Sequence, residues 1–211
     1  AEAPAMLADY CANQGIALVH YSTDYVFDGT CGRPYREDDV TAPIGAYGAS
    51  KRAGEEAILR SGAPHLIFRT AWAYGARGSN FMLTMLRLAK EYDELRVVSD
   101  QRGTPTPAWL IADLTAEIIA GHPQAGGVMH LTAAGETSWH GFAEAIMAGA
   151  HRRGLLPRLP RVLPIPSSAY PTRALRPAYS RLDIGKLETL LGRSMPTWEA
   201  GLEQVLDHIS P

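Results

Sequence analysis

Ile16-Ala17-Leu18-Val19-His20-Tyr21 runs straight into Ser22-Thr23-Asp24-Tyr25-Val26-Phe27-Asp28-Gly29. The first six residues are a short, nearly continuous apolar run. That is the pattern of a parallel strand buried on both faces. The eight that follow are rich in hydroxyls and carboxyls and end on a glycine, so the chain leaves the strand into a polar turn. Such a segment stands at the C-terminal end of a strand, where open α/β sheets place their ligands. Turn formation accounts well for Asp28-Gly29. It accounts less well for Tyr25 and Phe27, two large rings that this reading leaves exposed.

Working outward, Met6, Leu7, Tyr10 and Cys11 fall at helical spacing, which predicts a helix over 5–13 closed by Gly15. The stretch 22–43, with its Gly, Pro and Asp, reads as a long loop. Helices are expected over 47–61, 80–92, 109–120 and 139–153, and strands over 65–69, 96–98 and 128–131. The proline-rich 155–177 reads as irregular, with one short strand near Val162-Leu163. Helices over 183–191 and 198–209 close the chain. Strands alternating with helices point to an α/β fold with a mainly parallel sheet. The irregular final third suggests a smaller lobe at the strands' C-terminal ends.

Composition excludes several functions. The 211 residues are 46% apolar and 20% charged, as in an ordinary globular domain. A formal net charge of −2 gives no basic field for nucleic acid or an anionic membrane, so neither partner is expected. The basic residues are mostly arginine, with lysine only at Lys51, Lys90 and Lys186. Cys11 and Cys31 form no Cys-x-x-Cys pair, and a reducing cytoplasm fits them best. No apolar run approaches a membrane span, and no signal peptide opens the chain. The histidines form no His-x-x-x-His, and no metal site is read from them. Glu37-Asp38-Asp39 reads as a solvated acidic loop. The opening Ala1-Glu2-Ala3-Pro4 lacks an initiating methionine, which suggests the interior of a longer protein.

In Tyr47-Gly48-Ala49-Ser50-Lys51, a spacing of four puts tyrosine and lysine on one helix face. A lysine cation beside a phenol favours the phenolate, and a tyrosine so tuned serves as a general acid or base near neutrality. Spacing alone fits a surface helix pair better. The context changes that reading. STDYVFDG, Pro34-Tyr35-Arg36-Glu37-Asp38, Tyr47 to Lys51 with Gly54-Glu55, Arg69-Thr70-Ala71-Trp72-Ala73-Tyr74-Gly75, Asn80-Phe81, Val98 to Thr106 and Arg176 to Leu182 follow in order. Together they resemble the extended short-chain dehydrogenase/reductase family, and within it the dTDP-4-dehydrorhamnose reductase branch.

That resemblance implies a Rossmann-like, doubly wound parallel sheet with a smaller C-terminal substrate-binding lobe. Residues 1–94 and 105–133 would be the C-terminal half of the dinucleotide-binding domain, and 95–104 and 134–211 the lobe. It implies reduction of the C4 keto group of dTDP-4-dehydro-L-rhamnose with NADPH or NADH. Tyr47 would protonate the keto oxygen, Thr23 would donate a hydrogen bond to it, and Lys51 would hold the nicotinamide ribose, with Ser22 also near the cofactor. Tyr25, Trp72, Gln101, Arg102, Thr104 and Arg181 would meet the nucleotide-sugar. Thr106 and Arg176 would lie near the same ligand. The resemblance also allows a divalent cation and a homodimer. Tyr179 departs from it, standing where the family pattern has asparagine.

The chain has no Gly-x-x-Gly-x-x-Gly after a strand, the turn that seats a dinucleotide at a helix N-terminus. The expectation is that this half lies before Ala1, and that the chain alone binds cofactor and turns over poorly. Two other readings share the fold: a nucleotide-sugar epimerase or dehydratase, and a non-catalytic subunit resembling the regulatory subunit of methionine adenosyltransferase.

Overall fold

The computed structural model describes residues 1–172 and 174–209. The apolar run at 16–21 forms β1 (Leu18–Thr23), preceded by α1 (Glu2–Gln14). A single 3-10 turn, Asp24–Val26, follows β1. Next come α2 (Ala46–Ser61), β2 (His65–Thr70), β3 (Ala73–Tyr74), α3 (Phe81–Glu91) and β4 (Glu94–Val98). After these lie β5 (Arg102–Gly103), β6 (Thr106–Pro107), α4 (Ala108–Gly121), β7 (Gly127–His130), β8 (Thr137–Ser138) and α5 (Trp139–Arg152). The chain closes with β9 (Arg161–Ile165), α6 (Gly185–Leu191) and α7 (Trp198–Asp207). Three helices start on side-chain caps: Asn80 Oδ1, Ser138 Oγ and Thr197 Oγ1 each accept a hydrogen bond from a first-turn N–H.

The central sheet is parallel throughout, in the order β1-β2-β7. Its middle strand β2 shows why both faces must be covered. Leu66 and Phe68 enter the main core with Leu114 and Ile118 of α4, while Ile67 points the other way onto Ala8 of α1 and Ile58 of α2. Among the described residues β1 pairs with β2 alone, and its other edge has no strand beside it. Met6, Leu7 and Tyr10 of α1 and Tyr21 of β1 are exposed on that side.

The short strand expected near Val162-Leu163 is present in the proline-rich segment as the five-residue β9. β9 runs parallel to β4, with Val97 opposite Pro164. Proline has no N–H to give a ladder, and an edge strand tolerates it. The main core is continuous from β2 and β7 through α3, α4 and β4 to α5, α6 and α7. The long loop after β1 is tied to the far end of the chain: Tyr35 bridges Leu182, its N–H donating to Arg181 O at 2.9 Å and its carbonyl accepting from Asp183 N at 2.7 Å.

Candidate functional site

Thr23 ends β1 in register with Thr70 of β2, so both hydroxyls reach the C-terminal edge of the sheet. The chain then turns through Asp24 and Tyr25, and α2 brings Tyr47 against them. The Tyr25 and Tyr47 rings meet edge to face, with centroids 6.1 Å apart. Gly48 allows this approach, since a Cβ at that position would lie 2.0 Å from the Tyr25 carbonyl oxygen. Thr23, Tyr25, Tyr47, Trp72 and Arg176 together line one cleft of about 680 Å³, with Asp24, Ile44, Trp139, Leu175 and Pro177 among the other walls. A ligand pocket of a few hundred Å³ suits a small molecule with a flat ring and a polar head.

Trp72 makes the hard wall of the cleft. Its ring stacks on Trp139 at 3.5 Å and 3° between planes. Its backbone sits at φ 43, a strained conformation for a tryptophan, and such strain concentrates at functional sites. On the other side the ring presses on Gly103, where a Cβ would fall 2.6 Å from the indole. The glycine of the Gln101-Arg102-Gly103-Thr104 stretch is therefore required by the indole.

Two polar side chains stand behind this front. Lys51 Nζ donates to the carbonyl oxygen of Tyr21 at the end of β1, and burial lowers its pKa against the opposing pull of Glu55. Ser22 is 4% exposed, and its hydroxyl has no hydrogen-bond partner. An orphaned buried hydroxyl beside a lysine offers a donor and a cation to a hydroxyl-rich group such as a nicotinamide ribose.

The other nominated residues disperse. Gln101 lines an adjoining cleft that shares Ala174, Leu175 and Arg176 with the first, and its amide donates to Ser167 Oγ at 2.9 Å. Arg102 and Arg181 both pair with Glu136, at 2.9 Å and 3.2 Å. The Tyr179 hydroxyl joins them, donating to Glu136 at 3.2 Å. Burial raises the Glu136 carboxyl, but the two guanidiniums outweigh that and hold it below its ordinary value. Arg102, which the resemblance placed near the nucleotide-sugar, is thus already paired with a carboxylate here. Thr104 is 1% exposed and donates to Gly135 O at 2.8 Å, so it braces the loop and does not reach the cleft. Thr106 is buried as well and donates to Thr104 O.

Two expectations are corrected, and one pairing is new. Phe27 is fully buried, stacked on Tyr35 at 4.2 Å and under the Arg69 guanidinium at 5.1 Å. Glu37 is not simply solvated: it accepts the N–H of His130 at 2.9 Å, at the end of β7. Arg69 clasps Glu55 through two nitrogens, at 3.0 Å and 2.7 Å, deep under the site. The sequence showed Glu55 and Arg69 as parts of motifs but gave no sign that they pair, because they sit on different elements. Asp24 was missed as an individual residue. It is 2% exposed, and burial raises its carboxyl to about 7, against the Ser180 and Thr23 hydroxyls that pull it down. Its one legible signal was a carboxyl placed directly after a buried strand.

Among the described residues no group of three His, Cys, Asp or Glu is placed to hold a metal ion, and no helix is long and apolar enough to cross a membrane. Comparison with known proteins gives one consistent result. The model of the RmlD substrate binding domain matches residues 1–210. The chain is 49% identical over 206 residues to a dTDP-4-dehydrorhamnose reductase of Burkholderia thailandensis, covering 93% of this chain and 69% of that protein. It is 45% identical over 198 residues to one from Shigella flexneri, covering 92% and 66%. A crystal structure of dTDP-4-dehydrorhamnose reductase from Bacillus anthracis in complex with NADP superposes with a TM-score of 0.90 at 36% identity, over 99% of this chain and 71% of that one. The chain spans about two thirds of the length of the curated relatives it matches.

Proposed function

The chain belongs to the dTDP-4-dehydrorhamnose reductase family, and from that premise we propose that the whole protein reduces the C4 keto group of dTDP-4-dehydro-L-rhamnose to dTDP-L-rhamnose. The observation that carries the proposal is the convergence of Thr23 and Tyr47 on one tryptophan-walled cleft at the end of β1.

NADPH supplies the hydride when bound, a choice supported by the NADP complex of the Bacillus anthracis relative. The chain's own residues then have four tasks. The Tyr47 phenol gives its proton to the keto oxygen as that oxygen becomes an alkoxide. Thr23 donates a hydrogen bond to the same oxygen and stabilises its developing charge. Lys51 and Ser22 fit the nicotinamide ribose, the cation supplying a donor and the orphaned hydroxyl gaining a partner. Trp72 and Tyr25 give the sugar a flat wall with polar tips, and Trp139 locks the indole in place. Arg176 is the cationic side chain on the cleft, available to the diphosphate, and Gln101 faces the adjoining cleft. Arg102, Thr104 and Arg181 support the lobe that carries these contacts.

The reading assigns 1–94 and 105–133 to the dinucleotide side and 95–104 and 134–211 to the substrate side. It routes no step through a divalent cation, for which the described residues offer no donor cluster. Its setting is the cytoplasm, where Cys11 and Cys31 remain free thiols. A homodimer is expected of the whole protein and is read from its mass in solution.

The test follows NADPH oxidation by the whole protein with dTDP-4-dehydro-L-rhamnose, wild type beside Tyr47→Phe. Losing the proton donor should cut kcat by roughly 10²–10⁴-fold. A wild type that binds the nucleotide-sugar without turnover would count for a non-catalytic binding protein instead.

A further inference from the structure

Thr23 and Asp24 share a hydrogen bond whose direction decides what Thr23 can do. The two side chains meet at 3.0 Å between Thr23 Oγ1 and Asp24 Oδ1. Thr23 Oγ1 also accepts the N–H of Tyr25 at 3.2 Å. Asp24 is 2% exposed, and among the described residues it forms no ion pair and its Oδ2 has no hydrogen-bond partner of acceptable geometry. A buried carboxyl with one oxygen unpartnered is a poor host for a negative charge.

A threonine hydroxyl has one proton and two lone pairs. Tyr25 N–H takes one lone pair, leaving a proton and a lone pair to divide between Asp24 and the cleft. A carboxylate only accepts, so an ionised Asp24 captures the Thr23 proton and turns a lone pair toward the cleft. A lone pair there repels a developing oxyanion. A neutral carboxylic acid donates, so it takes the lone pair and sends the Thr23 proton into the cleft.

We propose that Asp24 is the positioning residue that aims the Thr23 hydroxyl: as the neutral acid it turns Thr23 into a donor for the substrate's keto oxygen, and as the carboxylate it disarms it. The proposal rests on the reductase reading above. Burial supports it, raising the Asp24 carboxyl to about 7 so that both forms are populated near neutrality. The titratable and charged groups around the pair are Tyr25 beside it, Tyr47 from α2 and Arg176 from the 174–178 segment, with the neutral Ser180 from the following one. Arg176 bears on the Tyr25 phenol rather than on Asp24.

The experiment is the pH dependence of kcat in the whole protein for wild type, Asp24→Asn and Thr23→Val, from about pH 5 to 9. Wild-type kcat should fall as Asp24 ionises near neutrality, by up to ~10-fold per pH unit. The Asp24→Asn amide donates to Thr23 at every pH. It should keep the low-pH rate within a few-fold and lose that fall. Thr23→Val should be slow throughout and should also lack the fall near neutrality. An unchanged pH profile in Asp24→Asn, or a fall retained in Thr23→Val, would overturn the proposal.

Carbon-13 NMR titration of the aspartate carboxyls in the same protein separates the two levels of inference. Asp24 should titrate near neutrality and shift its midpoint in Thr23→Val. A midpoint in the ordinary aspartate range overturns the proposal whatever the enzyme does. Absence of turnover at every pH, with the midpoint and its shift intact, would sink the reductase reading and leave the hydrogen-bonded pair standing.

Discussion

Glu55 and Asp24 are equally hidden, each 2% exposed, yet the molecule holds them in opposite ways. Glu55 lies under the site on α2, gripped by the Arg69 guanidinium, with both side chains almost wholly out of water. Arg69 is itself anchored on the Glu37 carbonyl and the face of Phe27. Asp24 lies at the cleft and, among the described residues, meets hydroxyls and backbone N–H groups rather than a cation. One carboxyl is paired with a guanidinium, and the other is left able to change its charge. A buried ion pair strapping α2 to β2 holds the helix that carries Tyr47 and Lys51. An unpaired buried carboxyl costs stability, and such costs gather where chemistry is done.

The comparison breaks most visibly at Arg69. Replacing it by leucine strands the Glu55 charge, and should cost about 3–5 kcal/mol in chemical denaturation. A stability close to that of the wild type would mean that the Arg69–Glu55 pair does not hold α2 to β2.

At Asp24 the expected effect is a slope. Its pKa is higher folded than unfolded, so between about pH 4 and 7 the folded state binds more protons and stability falls as pH rises, at up to ~1.4 kcal/mol per pH unit. Asp24→Asn should flatten denaturation midpoints across that window. An identical slope in the variant would show that Asp24 does not carry it.

Glu136 sharpens the contrast from a third position, partly exposed and shared by Arg102 and Arg181. Its lowered pKa contributes stability above the unfolded value that is lost as pH falls through the folded one. Glu136→Gln should cost about 1 kcal/mol at neutral pH and little in acid, read by thermal melts. The smallest effect belongs to the exposed pair Arg52–Glu56 on α2, where Arg52→Ala should cost about 0.3–0.5 kcal/mol.

Much of the site was legible because its motifs are short and local. Tyr47 and Lys51 lie one helical turn apart, and Thr23 ends an apolar run that could only be a buried strand. What was not legible depended on meetings between distant segments. The short strand expected near Val162-Leu163 is β9, but its parallel pairing with β4 was not legible. Phe27 looked exposed until Tyr35 and Arg69 closed over it. Arg102, a free cation in sequence, is claimed by Glu136, 34 residues away.

The sequence by itself determined the α/β order of elements and the parallel strands, while its resemblance to a known family nominated Thr23, Tyr47 and Lys51. Apolar periodicity and turn chemistry act over a few residues, and a linear reading captures them. Only the tertiary structure decided which charges are paired and which are not. Burial and pairing depend on what other segments bring within a few ångströms, and those distances are set by the packing of the whole core. Asp24 and Glu55 are both carboxyl residues in the sequence; among the described residues Arg69 arrives beside one of them and no cation pairs with the other, which separates an anchor from a switchable acid.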